Sequence, residues 1–126
     1  MKLNVGNYAM RLRLMLLLLL LLTLSLSAQD KTLNEISHLL NYVKSTECIY
    51  IRNGDSYKGP KAESHIQRKY DYYKDDISSA EDFIRLSATK STMSGSKYHI
   101  KCPDQPEVES GRWLLDELAR YRKLEK

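Results

Sequence analysis

The chain opens on an apolar block without periodicity and then changes to amphipathic rhythms. Leu14 through Leu22 is unbroken apolar sequence, preceded by Lys2, Arg11 and Arg13 and followed by the small-residue stretch Thr23-Leu24-Ser25-Leu26-Ser27-Ala28. A basic start, a short apolar core and a small-residue end are the three parts of a secretory signal peptide. The core falls short of the ~20 residues that span a bilayer comfortably. Ser25-x-Ser27 and Leu26-x-Ala28 are the candidate cleavage motifs, and no second apolar run follows. The pattern predicts a leader over residues 1–28, a single domain over residues 29–126, export, and no transmembrane segment once the leader is removed. An uncleaved N-terminal anchor is the alternative.

From Gln29 onward the periodicity is that of a small α+β domain. Thr32-x-x-Glu35 has the form of a capping box, and Leu33, Ile36, Leu39, Leu40 and Val43 follow at helical spacing, predicting a helix over 32–44. Cys48-Ile49-Tyr50-Ile51-Arg52 is β-branched and aromatic and stops at the turn signal Asn53-Gly54, so it reads as a strand. Gly59-Pro60 opens a second helix, on which Ala62, Ile66, Tyr70, Tyr73 and Ile77 form one stripe. Ser78 or Ser79 caps a third, with Ala80, Phe83, Ile84 and Ala88 inward. Ser91 to Gly95 is a loop, and Tyr98 to Cys102 alternates as a half-buried strand does. After Pro103 and Pro106, Ser110 caps a last helix carrying Trp113, Leu114, Leu118 and Tyr121. The expected order is α-β-α-α-β-α, a two-stranded antiparallel sheet packed with about four helices.

The two cysteines, Cys48 and Cys102, lie one in each predicted strand. In an oxidising compartment an even pair in a small domain reads as a disulfide. Closing a loop of about 55 residues is worth about 4 kcal/mol on the chain-entropy account, a large share of the roughly 5–15 kcal/mol that holds a domain folded. The bond would also set a register: with Cys48 opposite Cys102, Tyr50 faces Ile100, Arg52 faces Tyr98, and all six share one face.

Charge narrows the function classes. Three of the 20 Lys and Arg sit in the leader, leaving 17 against 16 acids, so the formal +4 of the whole chain falls to about +1 for the mature part. That balance argues against a nucleic-acid partner, which calls for a basic excess, and against a polybasic membrane patch. His38, His65 and His99 lack metal-ligand spacing, and there is no phosphate loop, nucleophile elbow or H-E-x-x-H. No metal or cofactor is expected. Ser87-x-x-Lys90 and Ser94-x-x-Lys97 match only a fragment of the serine–lysine pattern of penicillin-recognising enzymes, which needs companion motifs and a far larger fold. Of the cluster Tyr70, Tyr72 and Tyr73, only Tyr72 falls off the core stripe.

Anion recognition is the chemistry the remaining residues suit. Arg52 ends the first strand and favours bidentate carboxylate or phosphate contacts. Asn53 follows it, and the register brings Ser94, Gly95 and Lys97 near, with Gly95 letting a ligand approach backbone N–H groups. His65 and Lys69 stand on the second helix. The plainer alternative is a turn at Arg52-Asn53-Gly54, with Arg52 paired to Glu63 or Glu81 and His65 flanking the core.

Tyr50-Ile51-Arg52-Asn53-Gly54, Ala62-Glu63-Ser64-His65-Ile66 with Lys69, Ser79-Ala80-Glu81-Asp82-Phe83-Ile84, Ser94-Gly95 with Tyr98, and Trp113-Leu114 occur in that order. In these pieces the chain from Cys48 onward resembles the YfeK-like family of small exported bacterial proteins, a domain of unknown function. The resemblance implies a periplasmic protein of Gram-negative bacteria and carries no chemistry with it. The sequence expectation is a non-enzymatic envelope module that binds a partner protein or a small anionic ligand. The competing expectation is a small hydrolase or transferase using His65, Arg52 and a serine of the 91–96 loop.

Overall fold

The computed structural model describes residues 4–126; Lys2 of the expected leader lies outside them. Helix α1 is Val5–Ser45, β1 Ile49–Arg52, β2 Asp55–Tyr57, α2 Gly59–Tyr73, α3 Ala80–Ser87, β3 His99–Lys101, β4 Val108–Glu109 and α4 Ser110–Leu124, with a single 3₁₀ turn at Lys74–Asp76 after α2. The chain divides after Lys31 into two units.

In the first unit every described residue is exposed, Leu14 to Leu22 included. The expected separate helix over 32–44 is instead the last part of α1, which is 41 residues long. The physical reason is local: Ala28, Gln29 and Lys31 are good helix formers and no Gly or Pro interrupts them. By length and composition α1 can cross a membrane. Thr32 lies inside α1 and is not its N-cap, and the Glu35 carboxylate receives the Arg122 guanidinium, with Nε 2.5 Å from Oε2.

The second unit is α+β, with a four-stranded sheet ordered β2-β1-β3-β4 and every pair antiparallel. This corrects the two-stranded sheet and the expected order to α-β-β-α-α-β-β-α. Asn53 and Gly54 have φ of 51° and 81°, the two-residue geometry that matches strand twist in a tight hairpin. The chain therefore returns beside β1 as β2, pairing Tyr50 with Tyr57 and Arg52 with Asp55. Asp55-Ser56-Tyr57 and Val108-Glu109 are too short and too polar to show alternation, and both lie at the sheet edges.

The central pairing follows the expected register. Ile49 faces Lys101, Tyr50 faces Ile100 and Ile51 faces His99, and the Cys48–Cys102 disulfide closes the next position. Tyr50 and Ile100 point into a core with Leu39, Ile66, Phe83, Ile84, Leu114 and Leu118. Ile49 and Ile51, on the other face, are half-buried. The Tyr50 hydroxyl donates to the Ala88 carbonyl (3.2 Å) and accepts from Ser110 (3.1 Å). Ser110 is thus the first residue of α4 and serves the core; the cap position falls on Glu109. Ser79 caps α3, accepting from the Asp82 N–H at 3.0 Å.

Candidate functional site

Arg52 is the last residue of β1 and shares the inward face with Tyr50, so its side chain runs along the sheet toward α2. There Nη1 lies 2.9 Å from His65 Nδ1. Arg68, one turn further along α2, places Nη2 3.0 Å from the same nitrogen. A guanidinium only donates, so Nδ1 accepts both bonds and the imidazole proton sits on Nε2, which is buried without a hydrogen-bond partner. Tyr57 of β2 packs its ring against His65, centroids 4.9 Å apart. Burial, then the charges of Arg52, Arg68 and Lys61, hold His65 below the ordinary imidazole value. It is a neutral acceptor inside a ring of cations.

The pattern behind this arrangement is helical. Lys61, His65, Arg68 and Lys69 stand at i−4, i, i+3 and i+4, the spacing that puts side chains on one face. Arg68 and Lys61 were not singled out from the sequence, although that spacing marks them. Among the described residues no carboxylate pairs with Arg52 or Arg68. Glu81, one of the acids considered for Arg52, binds Arg122, with Oε1 2.5 Å from Nη1.

Lys69, one turn after His65 on the same face of α2, reaches toward the segment after α3. Its ammonium donates to the Lys90 carbonyl at 2.6 Å and lies 3.5 Å from the Tyr98 hydroxyl, 5.1 Å from the centre of that ring. Burial lowers its pKa, Tyr73 opposes the shift, and Arg52 and Lys90 add to it.

The 91–97 segment meets the β1–β2 turn at one point, where the Ser94 hydroxyl donates to Asn53 Oδ1 at 3.1 Å. Its backbone is occupied internally. The Gly95 N–H bonds the Ser91 carbonyl at 3.0 Å, and the Ser94 and Ser96 N–H groups bond the Ser91 and Ser94 hydroxyls, both at 3.3 Å. Lys97, two residues before β3, pairs instead with Glu109 of β4 at 2.9 Å. Arg52, His65 and Lys69 therefore come together with Arg68 and Lys61. Asn53, Ser94 and Gly95 border that group, and Lys97 does not join it. No serine hydroxyl bonds either nitrogen of His65.

Two hollows flank these elements. One, of about 780 Å³, lies between α3, α4 and β4 with Ile84, Val108 and Leu115 in its wall and contains none of the residues of the cation cluster. The other, of about 180 Å³, lies between α2, α3 and the 91–95 loop and is lined by Lys69, Lys90 and Gly95 among others.

No curated protein and no solved structure matches the chain. A family model, described as a family of unknown function (DUF5329), matches residues 30–122, from the last residues of the first unit into the last turn of α4, and takes in every residue of the cation cluster. The chain belongs to that family of unknown function.

Proposed function

We propose that this protein is an exported, periplasmic binding module, non-enzymatic, that holds an anionic ligand or an anionic group of an envelope partner on the Arg52–His65–Arg68 cluster. The finer family assignment is the YfeK-like exported proteins. The apolar N-terminal helix and the Cys48–Cys102 disulfide support export, since disulfides persist in oxidising compartments. One observation carries the binding reading: two guanidiniums converge on one uncharged acceptor, at 2.9 and 3.0 Å, and among the described residues neither forms a salt bridge, although Asp55 lies opposite Arg52 in the β1–β2 register. Like charges at this separation repel, and an anion from outside would relieve that repulsion. His65 positions both forks by accepting from them and leaves their remaining N–H groups for the ligand.

The test begins with protein recovered from the periplasm, whose intact mass should correspond to a start at Ala28 or Gln29. Calorimetric titration with citrate, a compact polycarboxylate, should show saturable binding that Arg52→Ala weakens by about tenfold or more, equivalent to about 1.4 kcal/mol. The melting temperature should stay within a few degrees of wild type. A variant that loses several kcal/mol of stability while binding citrate as before makes Arg52 a structural residue and removes the site.

A further inference from the structure

The smaller hollow has a composition that the cluster at His65 does not explain. It is walled by α2 through Lys69 and Tyr73, by α3 through Arg85, and by the following segment through Lys90 and Thr92. No carboxylate lines it. Arg85 is already balanced, because Asp82 accepts from its Nη2 at 3.1 Å. Lys69 and Lys90 are not balanced: neither has a carboxylate partner among the described residues. The Lys69 ammonium is held by the Lys90 carbonyl and the Tyr98 hydroxyl, which leaves one of its three N–H donors for a ligand. Tyr73 and Thr92 add two hydroxyls 3.1 Å apart.

Size and charge together restrict the occupant. About 180 Å³ is below the roughly 300–1,000 Å³ of sites for drug-sized molecules. It equals about six times the ~30 Å³ that one water occupies in the liquid. The space suits a single compact group. Two uncompensated ammonium charges call for about two negative charges, which one carboxylate does not supply. A phosphate group carries ≈ −1.5 to −2 at neutral pH and presents its oxygens in several directions, matching donors that come from α2 and from the segment after α3.

We infer that the hollow between α2, α3 and the 91–95 loop is a subsite for a phosphate group, with Lys69 and Lys90 providing the charge and Tyr73 and Thr92 the neutral contacts. This rests on the anion-binding reading above and names the chemical class that the same face of the domain selects. The phosphate could be free, or carried on a lipid headgroup.

The experiment titrates the purified chain with inorganic phosphate and, separately, with citrate. The variants are Lys69→Met with Lys90→Met, Lys90→Met alone, Arg52→Ala, and Lys101→Met as an equal loss of charge on β3. Saturable phosphate binding that falls about tenfold or more in the double variant, falls measurably in Lys90→Met, and survives Lys101→Met is the expected result. Because Lys90 is exposed, Lys90→Met tests the site even where the double variant melts early. Phosphate affinity unchanged in Lys90→Met and in a folded double variant overturns the subsite, as does the absence of saturable phosphate binding. Failure of the wider reading is a different result, namely loss of no citrate affinity in Arg52→Ala. Sedimentation with phosphatidylcholine vesicles carrying phosphatidic acid separates the sources. Co-sedimentation lost with the double variant supports a lipid-borne phosphate, and binding of inorganic phosphate alone supports a soluble one.

Discussion

At the scale of single residues, the folded environment decides what each charge does. His65 is one imidazole among three and its sequence neighbours are unremarkable, yet in the fold it accepts from two guanidiniums and buries its other nitrogen. Its pKa is lowered by burial and by Arg52, Arg68 and Lys61. The unfolded chain therefore takes up this proton first as pH falls, starting near the ordinary imidazole value of about 6.5. Stability linked to His65 is complete above that value and declines as pH drops toward the lower folded value. His65→Asn keeps an acceptor and removes the titration. The drop in melting temperature from about pH 8 to about pH 5 should be smaller in His65→Asn than in wild type, by parallel thermal melts. An equal drop in both proteins would mean that Nδ1 is not held by the two arginines. Arg52, His65 and Lys69 were legible as candidates because residue type and predicted register pointed to them. The assignment of Lys97 to the same group was not, because Lys97, two residues before β3, pairs with Glu109 of β4 instead.

At the scale of elements, local signals worked where they were strong, and two glycines show the limits. Gly54 sits at φ 81° with nothing within 4 Å of an added Cβ. Its requirement is conformational and purely local, in the turn that makes β2. Gly59 has ordinary backbone angles, but an added Cβ would stand 2.5 Å from the Val43 carbonyl oxygen and 2.6 Å from that of Lys44. Its requirement is that the start of α2 abuts the end of α1. Gly54→Ala should cost about 1–2 kcal/mol from the left-handed conformation alone. Gly59→Ala should cost about 1–3 kcal/mol, as overpacking does, because both obstructing atoms are backbone. Chemical denaturation of both variants checks this, and a Gly59→Ala protein as stable as wild type would show that the α1–α2 junction is looser than described. The Asn-Gly pair was visible in the sequence, but its partner strand was not. Asp55-Ser56-Tyr57 carries one large apolar residue, and only hydrogen bonding to β1 makes it a strand.

At the scale of the whole molecule, one side chain ties three helices of the second unit together. Arg122 of α4 is bidentate to Glu35 of α1, at 2.5 and 3.2 Å, and bidentate to Glu81 of α3, at the same two distances. Glu35 is only 4 % exposed. Removing one partner of a buried pair costs roughly 3–5 kcal/mol; Arg122 is 37 % exposed, and water reaching it places the expected loss for Arg122→Met at the low end of that range. Adding Glu35→Gln should recover most of the loss by removing the stranded charge. The Arg122 hydrogen bond holds the Glu81 carboxyl below the usual range against the opposing effect of burial. That stabilisation is present at neutral pH and is lost as pH falls below about 4.5 through the folded value. Acid melts should therefore show a shallower limb in Arg122→Met than in wild type. No rescue by Glu35→Gln would mean that Arg122 acts by packing its stem and not by charge.

The sequence by itself determined the α+β class, the stripes that face the core, the Cys48–Cys102 bond and the register of β1 on β3. These follow from short-range rules: periodicity of apolar residues, the two-fold alternation of strands, and a cysteine pair whose members flank β1 and β3. It also marked the apolar N-terminal segment, though not that one helix continues through it to Ser45. Only the tertiary structure decided which charges share a site. Arg52 meets Arg68 and His65 because β1 and α2 pack together, Lys69 meets Lys90 because the chain returns after α3, and Glu81 is taken from Arg52 by Arg122. Pairings of charged surface residues leave no periodic trace, since many partners are equally compatible with the same hydrophobic pattern. The packing of the apolar faces selects among them.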